Sequence, residues 1–260
     1  MRVVTVGDNC IDDYEKLQIS YPTGNSVDFA IHLSRLGVST SIVSITGDDE
    51  NGDRMLNLLM QHEINLSHFN RVIGNTAVTK MEMVGKDRVH VKYLEGVLTD
   101  FTLTEEDIEF IEGHDIVHTS IWGKVNDELS TFKQSGALVI FDFSVKLENK
   151  EVEFILPHVD YAFFSYEQHD KYIEDYMKWA KEFGPKVVIV TLGDKGSIAY
   201  DGKEFYKEGI VEVPLVNTVG AGDSFIAGYT HGIINHKGIQ DCLQQGATVA
   251  SKVVQIFEPY

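Results

Sequence analysis

The segment at residues 217–225 carries the residues whose types and spacing best suit chemistry. It holds Gly220, Ala221 and Gly222, followed by Asp223 and an apolar stretch with helical spacing. Small residues that open a helix present free backbone N–H groups and the positive end of the helix dipole, which together bind anions. A carboxylate beside an anion is unfavourable unless it reacts, and Asp223 could accept a proton from an attacking hydroxyl while the amides hold a phosphoryl group. The structural alternative is that Asp223 only caps the helix.

Five further segments contain glycine beside polar or acidic residues. They lie at residues 7–12, 23–30, 47–52, 190–196 and 246–251. Together with the turn at residues 217–225, they follow the order of the motifs of the ribokinase-type (PfkB) carbohydrate kinases. The chain resembles this family over nearly its whole length.

The resemblance implies an ATP-dependent sugar kinase that uses Mg²⁺. In that family the amides of the glycine-rich turn form an anion hole and the acid is the catalytic base, which implies these roles for Gly220, Ala221, Gly222 and Asp223. The sugar-binding motifs imply contacts from Asp12, Gly24, Asn25, Asp28 and Tyr93. The nucleotide-binding motifs imply contacts from Thr191, Gly193, Gly196, Asn217, Gly220, Gly222, Ala247 and Ser251.

Shorter matches indicate one branch of the family. Residues 87–89, 93–97, 115–118, 121–123 and 141–144 are similar to the fructoselysine 6-kinases, which phosphorylate the 6-hydroxyl of fructose carrying an amino acid on its first carbon. The resemblance therefore implies a fructosamine substrate. Two other functions remain open: a kinase of a plain sugar (fructose, ribose or a keto-sugar acid), and a non-catalytic sugar or nucleotide sensor on the same fold.

Three positions near the expected site depart from the family's motifs. Asn217 stands where the family usually has an Asp that helps to bind a monovalent cation, so the sequence leaves the cation requirement open. Thr23 replaces the first Gly of the sugar motif, and Asp28 replaces its second Asn. Asp28 could pair with the ammonium group of a fructosamine or bind hydroxyl groups.

The metal-linked motif also differs from the family's pattern. Ser165 and Gln168 occupy the two positions where the family has Asn and Glu. Glu167 lies one residue away and could hold Mg²⁺ through water. A magnesium ion held mainly by ATP and water needs few protein ligands, so the departure does not imply loss of activity.

These motifs require a scaffold in which strands alternate with helices. Short apolar runs predict strands at residues 3–6, 41–45, 116–120, 138–143, 161–164 and 187–191. Helical spacing predicts helices at residues 26–36, 51–62 and 104–113. This alternation is typical of a doubly wound α/β fold, with a mostly parallel sheet and helices on both faces. We expect a single ribokinase-like kinase domain over residues 1–260.

Two segments, at residues 12–23 and 76–101, interrupt the alternation. Residues 78–83 and 88–93 have the period of strands, and a turn around Gly85, Lys86 and Asp87 would join them into a hairpin. We expect the two segments to form a small β lid over the site. Lid strands of the family that the chain resembles can pair between subunits, which allows a homodimer.

Composition limits the partners and the location. The chain has 22 Lys and Arg against 40 Asp and Glu, a net charge of −18. Nucleic-acid binding needs clustered positive charge, so we expect small-molecule partners (a sugar or sugar-amine and ATP) and no nucleic acid. No apolar stretch approaches the ~20 residues that span a bilayer, so we expect no membrane association. Cys10 and Cys242 fit two reduced thiols in a cytoplasmic protein.

Overall fold

The computed structural model describes residues 1–84 and 87–260. The strands in these ranges are β1 (Val3–Val6), β2 (Cys10–Tyr14), β3 (Ile19–Thr23), β4 (Thr40–Gly47), β5 (Asn65–Val72), β6 (Val78–Val84), β7 (Asp87–Leu94), β8 (Ile116–Ser120), β9 (Leu138–Asp142), β10 (Tyr161–Ser165), β11 (Val187–Thr191), β12 (Ser197–Tyr200) and β13 (Phe205–Glu208). The α-helices are α1 (Asn25–Arg35), α2 (Glu50–Gln61), α3 (Glu105–Glu112), α4 (Leu129–Gln134), α5 (Val152–Ile155), α6 (Lys171–Glu182), α7 (Ala221–Ile234) and α8 (Ile239–Val253). Gly85 and Lys86, two residues of the predicted turn, lie outside the described residues.

The larger sheet has the order β13-β12-β11-β10-β9-β8-β1-β4-β5. All pairs from β11 to β5 are parallel, and β12 and β13 add an antiparallel edge. The six strands predicted from apolar runs form the contiguous centre of this sheet, β11 to β4. The edge strands β5 and β13 lack that pattern because edge strands are covered less completely and carry more polar side chains. Strand β12 is buried, but it has only four residues, which is too short for a clear apolar run.

Helices cover both faces of this sheet. Side chains alternate between the faces of a strand, so Val3 packs in one apolar core and the adjacent Val4 packs in the other. Helices α1, α7 and α8 close the core that contains Val3. Helices α3, α4, α5 and α6 close the core that contains Val4. The predicted doubly wound α/β architecture is confirmed.

The predicted helices begin and end close to their expected positions. The clearest local signal is the capping box of α3, in which Thr104 Oγ1 accepts from the Asp107 amide at 3.1 Å. The Thr104 amide in turn donates to Asp107 Oδ2 at 3.0 Å. These two bonds satisfy amides that have no intrahelical acceptor. In the part of the chain that the structure describes, every helix is too short or too polar to cross a bilayer.

The two segments that interrupt the alternation form a second, four-stranded sheet with the order β3-β2-β6-β7. Strands β2 and β3 are antiparallel, as are β6 and β7, and the central pair β2 and β6 is parallel. This small sheet begins at Cys10 rather than Asp12, and its last strand ends at Leu94, before a 3₁₀ helix at residues 96–100. The expected small β lid therefore exists, with slightly different limits.

Candidate active site

The glycine-rich turn opens helix α7, as the sequence predicts. Gly220 is the N-cap and has φ +70°, a left-handed conformation that glycine adopts without strain. A Cβ atom at Gly220 would lie only 2.6 Å from the carbonyl oxygen of Pro259, so a larger residue is also excluded by contact. Asp223 lies in the first turn of α7, whose amides have no intrahelical acceptor. Amides of a kind that suits anion binding and a carboxyl group therefore share this helix terminus.

Asn25 joins this terminus to the large sheet. The Asn25 Nδ2 group donates to Asp223 Oδ1 at 2.7 Å and to Asp142 Oδ2 at 2.8 Å. The backbone amide of Asn25, at the start of α1, donates to Asp8 Oδ2 at 3.0 Å. The preceding Gly24 has φ +132°, and a Cβ there would lie 2.7 Å from the Asn9 Cα atom. The close approach of these two chain segments brings Asn25 to the carboxyl ends of β1 and β9.

Five carboxyl groups surround Asn25 and the start of α7: Asp8, Asp12, Asp28, Asp142 and Asp223. Burial raises the pKa of each of them. The pKa rises to about 6 for Asp12 and for Asp142. Buried carboxyl groups of this kind stay protonated up to a higher pH than exposed carboxyl groups do.

The pKa of Asp223 is raised furthest among the described carboxyls with a stated value, to about 8. Burial is the largest cause, and the negative charges of Asp142 and Asp8 add to it. The positive charge of Arg88 on β7 acts in the opposite direction. A base with a pKa near the operating pH suits proton transfer at neutral pH.

Thr23 and Asp28, two of the departures from the family's motif, contact each other. The Thr23 hydroxyl donates to Asp28 Oδ2 at 2.7 Å. Asp28 Oδ1 is buried and has no hydrogen-bond partner among the described residues. Burial and the charge of Asp223 raise the pKa of Asp28 well above its usual value.

A second part of the site is a large cavity of about 1060 Å³. It borders the start of α7 through Ala221 and Gly222. The cavity is lined by these residues expected to bind nucleotide: Thr191, Gly193, Gly196, Gly222, Ala247 and Ser251. Apolar side chains such as Ile210, Val211 and Leu215 form much of the remaining wall. A cavity of this size, with mostly apolar walls and a few polar groups, suits a small-molecule ligand.

Asn217 and Gly220, to which the resemblance also assigns nucleotide contacts, do not line this cavity. Asn217 Nδ2 instead donates to the Phe257 carbonyl oxygen at 2.8 Å, and Asn217 Oδ1 accepts from the Val219 amide at 3.2 Å. Gly220 lies against Pro259. Both residues therefore contact residues 257–260, which pack against the turn that opens α7.

Residues 257–260 also contact the small sheet and α1, and we call them the C-terminal strap. The Phe257 ring packs edge-on against Tyr14 of β2 and Tyr21 of β3. The Tyr260 hydroxyl donates to the Pro22 carbonyl oxygen at 2.7 Å. The Pro259 carbonyl oxygen lies 2.7 Å from His32 Nε2 on α1. The strap therefore joins the small sheet, α1 and the turn that opens α7.

Comparison with known proteins identifies the family of this chain. A sequence model of the pfkB family of carbohydrate kinases matches residues 20–259. The chain belongs to this family. It is 38% identical to the fructoselysine 6-kinase of Escherichia coli (strain K12), over 97% of this chain and 97% of that protein. It is 33% identical to a fructosamine kinase of Bacillus subtilis (strain 168), over 99% of this chain and 92% of that protein.

Solved structures share the fold of this kinase. A ribokinase from Arabidopsis thaliana, complexed with ribose and ATP, has a TM-score of 0.84 at 19% identity and covers 98% of this chain and 93% of its own. A putative ribokinase II from E. coli, in complex with ATP and Mg²⁺, has a TM-score of 0.84 at 20% identity, over 99% of this chain and 94% of its own. The ribokinase-like fold is therefore confirmed.

The described residues of the kinase contain no cluster of metal-ligating side chains. Within residues 1–84 and 87–260, no group of three or more His, Cys, Asp or Glu side chains could hold a metal ion. Glu167 borders the cavity, and its backbone oxygen accepts from Lys195 Nζ at 2.9 Å. Ser165 is bonded to the Thr191 hydroxyl at 3.0 Å. The exposed Glu167 carboxylate fits a Mg²⁺ ion that keeps most of its water and phosphate ligands.

The small sheet of the kinase brings Tyr93 and Arg88 toward the carboxyl groups. Tyr93 on β7 pairs with Thr79 on β6, which in turn pairs with Asp12 on β2, so Tyr93 lies two strands from Asp12 on the same sheet. Burial raises the pKa of Tyr93, and the charges of Cys10 and Asp8 add to the effect. Arg88 acts on the pKa of both Asp12 and Asp223. The expected sugar residues Asp12, Gly24, Asn25, Asp28 and Tyr93 thus lie in one region.

Sequence reasoning assigned no role to Asp8, Asp142, Arg88 or Lys146. Asp8 and Asp142 lie at the carboxyl ends of β1 and β9, where open α/β sheets bind ligands, and this signal could have identified them. Lys146 lines the nucleotide cavity, and its ammonium lies 5.2 Å from the ring centre of Trp122. The reach of Arg88 and Lys146 could not be read from the sequence because it depends on how the small sheet and the loop after β9 pack.

Proposed function

We propose that this kinase transfers the γ-phosphoryl group of ATP to the 6-hydroxyl of a fructosamine such as fructoselysine. The observation that carries the proposal is the 38% identity to a fructoselysine 6-kinase over 97% of both chains. A second relative, at 33% identity, is also a fructosamine kinase. The geometry agrees, because a buried base lies at the boundary between a polar site and a nucleotide-sized cavity.

In the proposed reaction, Asp223 accepts the proton of the 6-hydroxyl as that oxygen attacks the γ-phosphorus. The bond between the γ-phosphorus and the bridging oxygen breaks, and ADP leaves. The Gly222 amide in the first turn of α7 stabilises the charge on the transferred phosphoryl oxygens. The Ala221 amide donates to the Thr218 carbonyl oxygen at 3.3 Å and holds the turn. The turn at Gly220 sets the direction of these amides.

The sugar residues of the proposal are Asp12, Gly24, Asn25, Asp28 and Tyr93. Asn25 Oδ1 and Asp28 Oδ1 are buried without a hydrogen-bond partner among the described residues, as groups awaiting a polar ligand would be. A carboxyl that keeps its proton can both donate and accept, as Asn does. We therefore assign Asp28 to sugar hydroxyls rather than to the ammonium group.

ATP occupies the cavity bordered by Thr191, Gly193, Gly196, Ala247 and Ser251 in this proposal. Its phosphates extend toward Gly222 at the start of α7. Mg²⁺, when bound to the phosphates, supplies positive charge there. Glu167 would hold this ion through water, and Lys146 adds a second positive charge at the cavity wall.

We also propose a homodimer formed through the small sheet. Strand β7 is an edge of that sheet, so its outer backbone groups are available for pairing. Val89, Val91 and Leu94 on this strand are exposed apolar residues. Light scattering during gel filtration would measure a mass of two chains if this is right and of one chain if it is wrong.

A cytoplasmic location is part of the proposal. Cys10 and Cys242 are free thiols in the described structure. Cys242 is buried beside α7, and burial raises its pKa to about 11. Buried, weakly acidic thiols of this kind persist in a reducing compartment. Fractionation of cells that express the protein would test the location.

The first experiment measures ADP release with Mg-ATP and a panel of acceptors. The panel contains fructoselysine, other fructose–amino-acid adducts, fructose, ribose and 2-keto-3-deoxygluconate. Turnover confined to the adducts, with phosphorus coupled to the C6 protons in the product, supports the proposal. Turnover only with a plain sugar would replace the fructosamine assignment. The Asp223→Asn variant is the matched control, because it removes the base and leaves the cavity unchanged.

A further inference from the structure

We propose that Asp142 is a positioning residue, which orients the base Asp223 through the carboxamide of Asn25 and keeps a second negative charge beside it. The inference rests on the proposed function, in which Asp223 is the base. It assigns a role to a residue at the end of β9 that contributes no predicted contact to sugar or nucleotide.

The hydrogen bonds define the orientation of all three side chains. Asn25 Nδ2 uses its two hydrogens on Asp142 Oδ2 and Asp223 Oδ1, at 2.8 and 2.7 Å. A flipped carboxamide would place Asn25 Oδ1 against two carboxyl oxygens, which is repulsive when these are ionised. Asp142 therefore fixes which atom of Asn25 faces the base.

Asp142 is itself held firmly. Its Oδ1 atom accepts from the Ser144 amide at 2.8 Å, a local turn in which the side chain binds the backbone two residues on. Ser144 has φ +53°, an uncommon left-handed conformation for a residue other than glycine. Both oxygens of Asp142 are thus bonded, one to the backbone and one to Asn25. A residue with neither oxygen free is better suited to support than to substrate contact.

The charge of Asp142 has a direct effect on the base. Among the charged groups that act on Asp223, Asp142 raises its pKa most, Asp8 adds to the effect and Arg88 opposes it. Asp28 on α1 faces the same region, since the charge of Asp223 raises its pKa. A higher pKa makes Asp223 a stronger base once it has lost its proton.

The test compares Asp142→Asn with the wild type, using the acceptor that the wild type phosphorylates fastest. We expect kcat to fall at least about tenfold, with the sugar KM changed less than about threefold. Removing the neighbouring charge should also move the acid limb of the kcat/KM profile about one pH unit lower. Asp142→Glu keeps the charge, so its acid limb should stay within a few tenths of a unit of the wild-type position. Asp175→Asn, an exposed carboxylate on α6, is the matched control.

Two other roles of Asp142 give different results. If Asp142 binds Mg²⁺, the Asp142→Asn variant will need several times more Mg²⁺, and its activity will recover at high concentration. If Asp142 contacts the sugar, KM will rise while kcat and the acid limb stay unchanged. Either result, or an unchanged kcat with an unmoved acid limb, overturns the inference.

A readout that needs no turnover separates this inference from the proposed function. In the ligand-free protein, the pH at which Asp223 ionises can be followed through the pH dependence of thermal unfolding. Asp142 itself ionises near pH 6, so the comparison uses pH 7.0–8.5, where only the ionisation of Asp223 is affected by the variant. In that window, Asp142→Asn should move the dependence to lower pH, and Asp175→Asn should not. Absence of wild-type turnover with every acceptor would refute the proposed function, whereas an unmoved dependence would refute the role of Asp142.

Discussion

The Thr23 hydroxyl donates to the Asp28 carboxyl at 2.7 Å, so two residues that depart from the family's sugar motif form one pair. With Gly at position 23, as in the family's motif, Asp28 Oδ2 would lose this partner, and Asp28 Oδ1 already has none among the described residues. The pair explains how an acid is tolerated at a position where the family has Asn.

The first prediction concerns this pair. Thr23→Val removes the hydroxyl and keeps the shape, so Asp28 loses its bond while it stays buried. We expect the free energy of unfolding to fall by about 1–3 kcal/mol, the usual cost of a buried polar group left unbonded. Chemical denaturation would measure the change. Thr99→Val, which removes an exposed hydroxyl bonded to Glu95, should cost far less, and equal losses would contradict the prediction.

The base assignment predicts a large and specific kinetic defect. Asp223→Asn removes the proton acceptor, so turnover should fall by about 100-fold to 10,000-fold. ATP binding, measured by calorimetry, should change little because the cavity walls are intact. A variant that keeps wild-type turnover would sink the assignment of Asp223 as base.

The raised pKa of Asp223 predicts how stability depends on pH. An Asp in the unfolded chain ionises near 3.8, whereas Asp223 in the ligand-free fold ionises near pH 8. Between these values the folded state binds more protons, so stability falls as pH rises, by at most about 1.4 kcal/mol per pH unit for one group.

The useful window is pH 7.0–8.5. Buried His32 and His118, whose pKa values are lowered to about 4 and about 3, change their contribution only below the ordinary histidine value of 6.5. Thermal unfolding across this window should show a smaller loss of stability for Asp223→Asn than for the wild type. Identical slopes would mean that Asp223 does not ionise there.

The hydrogen bonds of Asn217 predict that the reaction rate does not depend on monovalent cations. Its carboxamide links the Phe257 carbonyl oxygen to the Val219 amide directly, so no ion is needed to join these segments. Rates in K⁺, Na⁺ and a bulky organic cation should agree within about twofold, as expected where no ion binds differentially. Asn217→Asp would set a carboxylate against the Phe257 carbonyl, and K⁺ should then raise activity. Stimulation of the wild type by K⁺ would contradict this reading.

The role of Glu167 predicts a change in metal requirement without a change in the sugar site. Glu167→Gln removes the carboxylate charge, so the Mg²⁺ concentration for half-maximal rate should rise several-fold, in line with the preference of Mg²⁺ for carboxylates. The sugar KM at saturating Mg²⁺ should stay constant. Glu174→Gln, on α6 and bonded to His169, is the control for the loss of a charge. An unchanged Mg²⁺ curve would remove Glu167 from the site.

The sequence predicted the centre of the fold well because buried parallel strands and capped helices carry strong local signals. The strand at residues 116–120 and the capping box at Thr104 are examples, since both depend on neighbours within a few residues. The edge strand β13 could not be recognised in this way. Its four residues gain their conformation from pairing with β12 rather than from an apolar pattern.

The candidate site was predictable where it follows a motif and unpredictable where it follows packing. Asn25 and Asp223 belong to motifs and lie within hydrogen-bond distance of each other. Asn217 also belongs to a motif, yet residues 257–260 occupy its side chain, and that contact joins segments 40 residues apart. Asp142 could be singled out only once the fold was known, because its proposed role depends on Asn25, which α1 places beside it.

The C-terminal strap has a consequence for how the two sheets can move. Val219, in the turn before α7, packs with Tyr14, Tyr21 and Met81 of the small sheet, and Phe257 packs against the same group. The small sheet is therefore not a free flap. A hinge motion that lifts the small sheet must also pull on the turn at Gly220. The closure of the small sheet over the sugar and the position of the amides that face the phosphoryl group are therefore mechanically coupled.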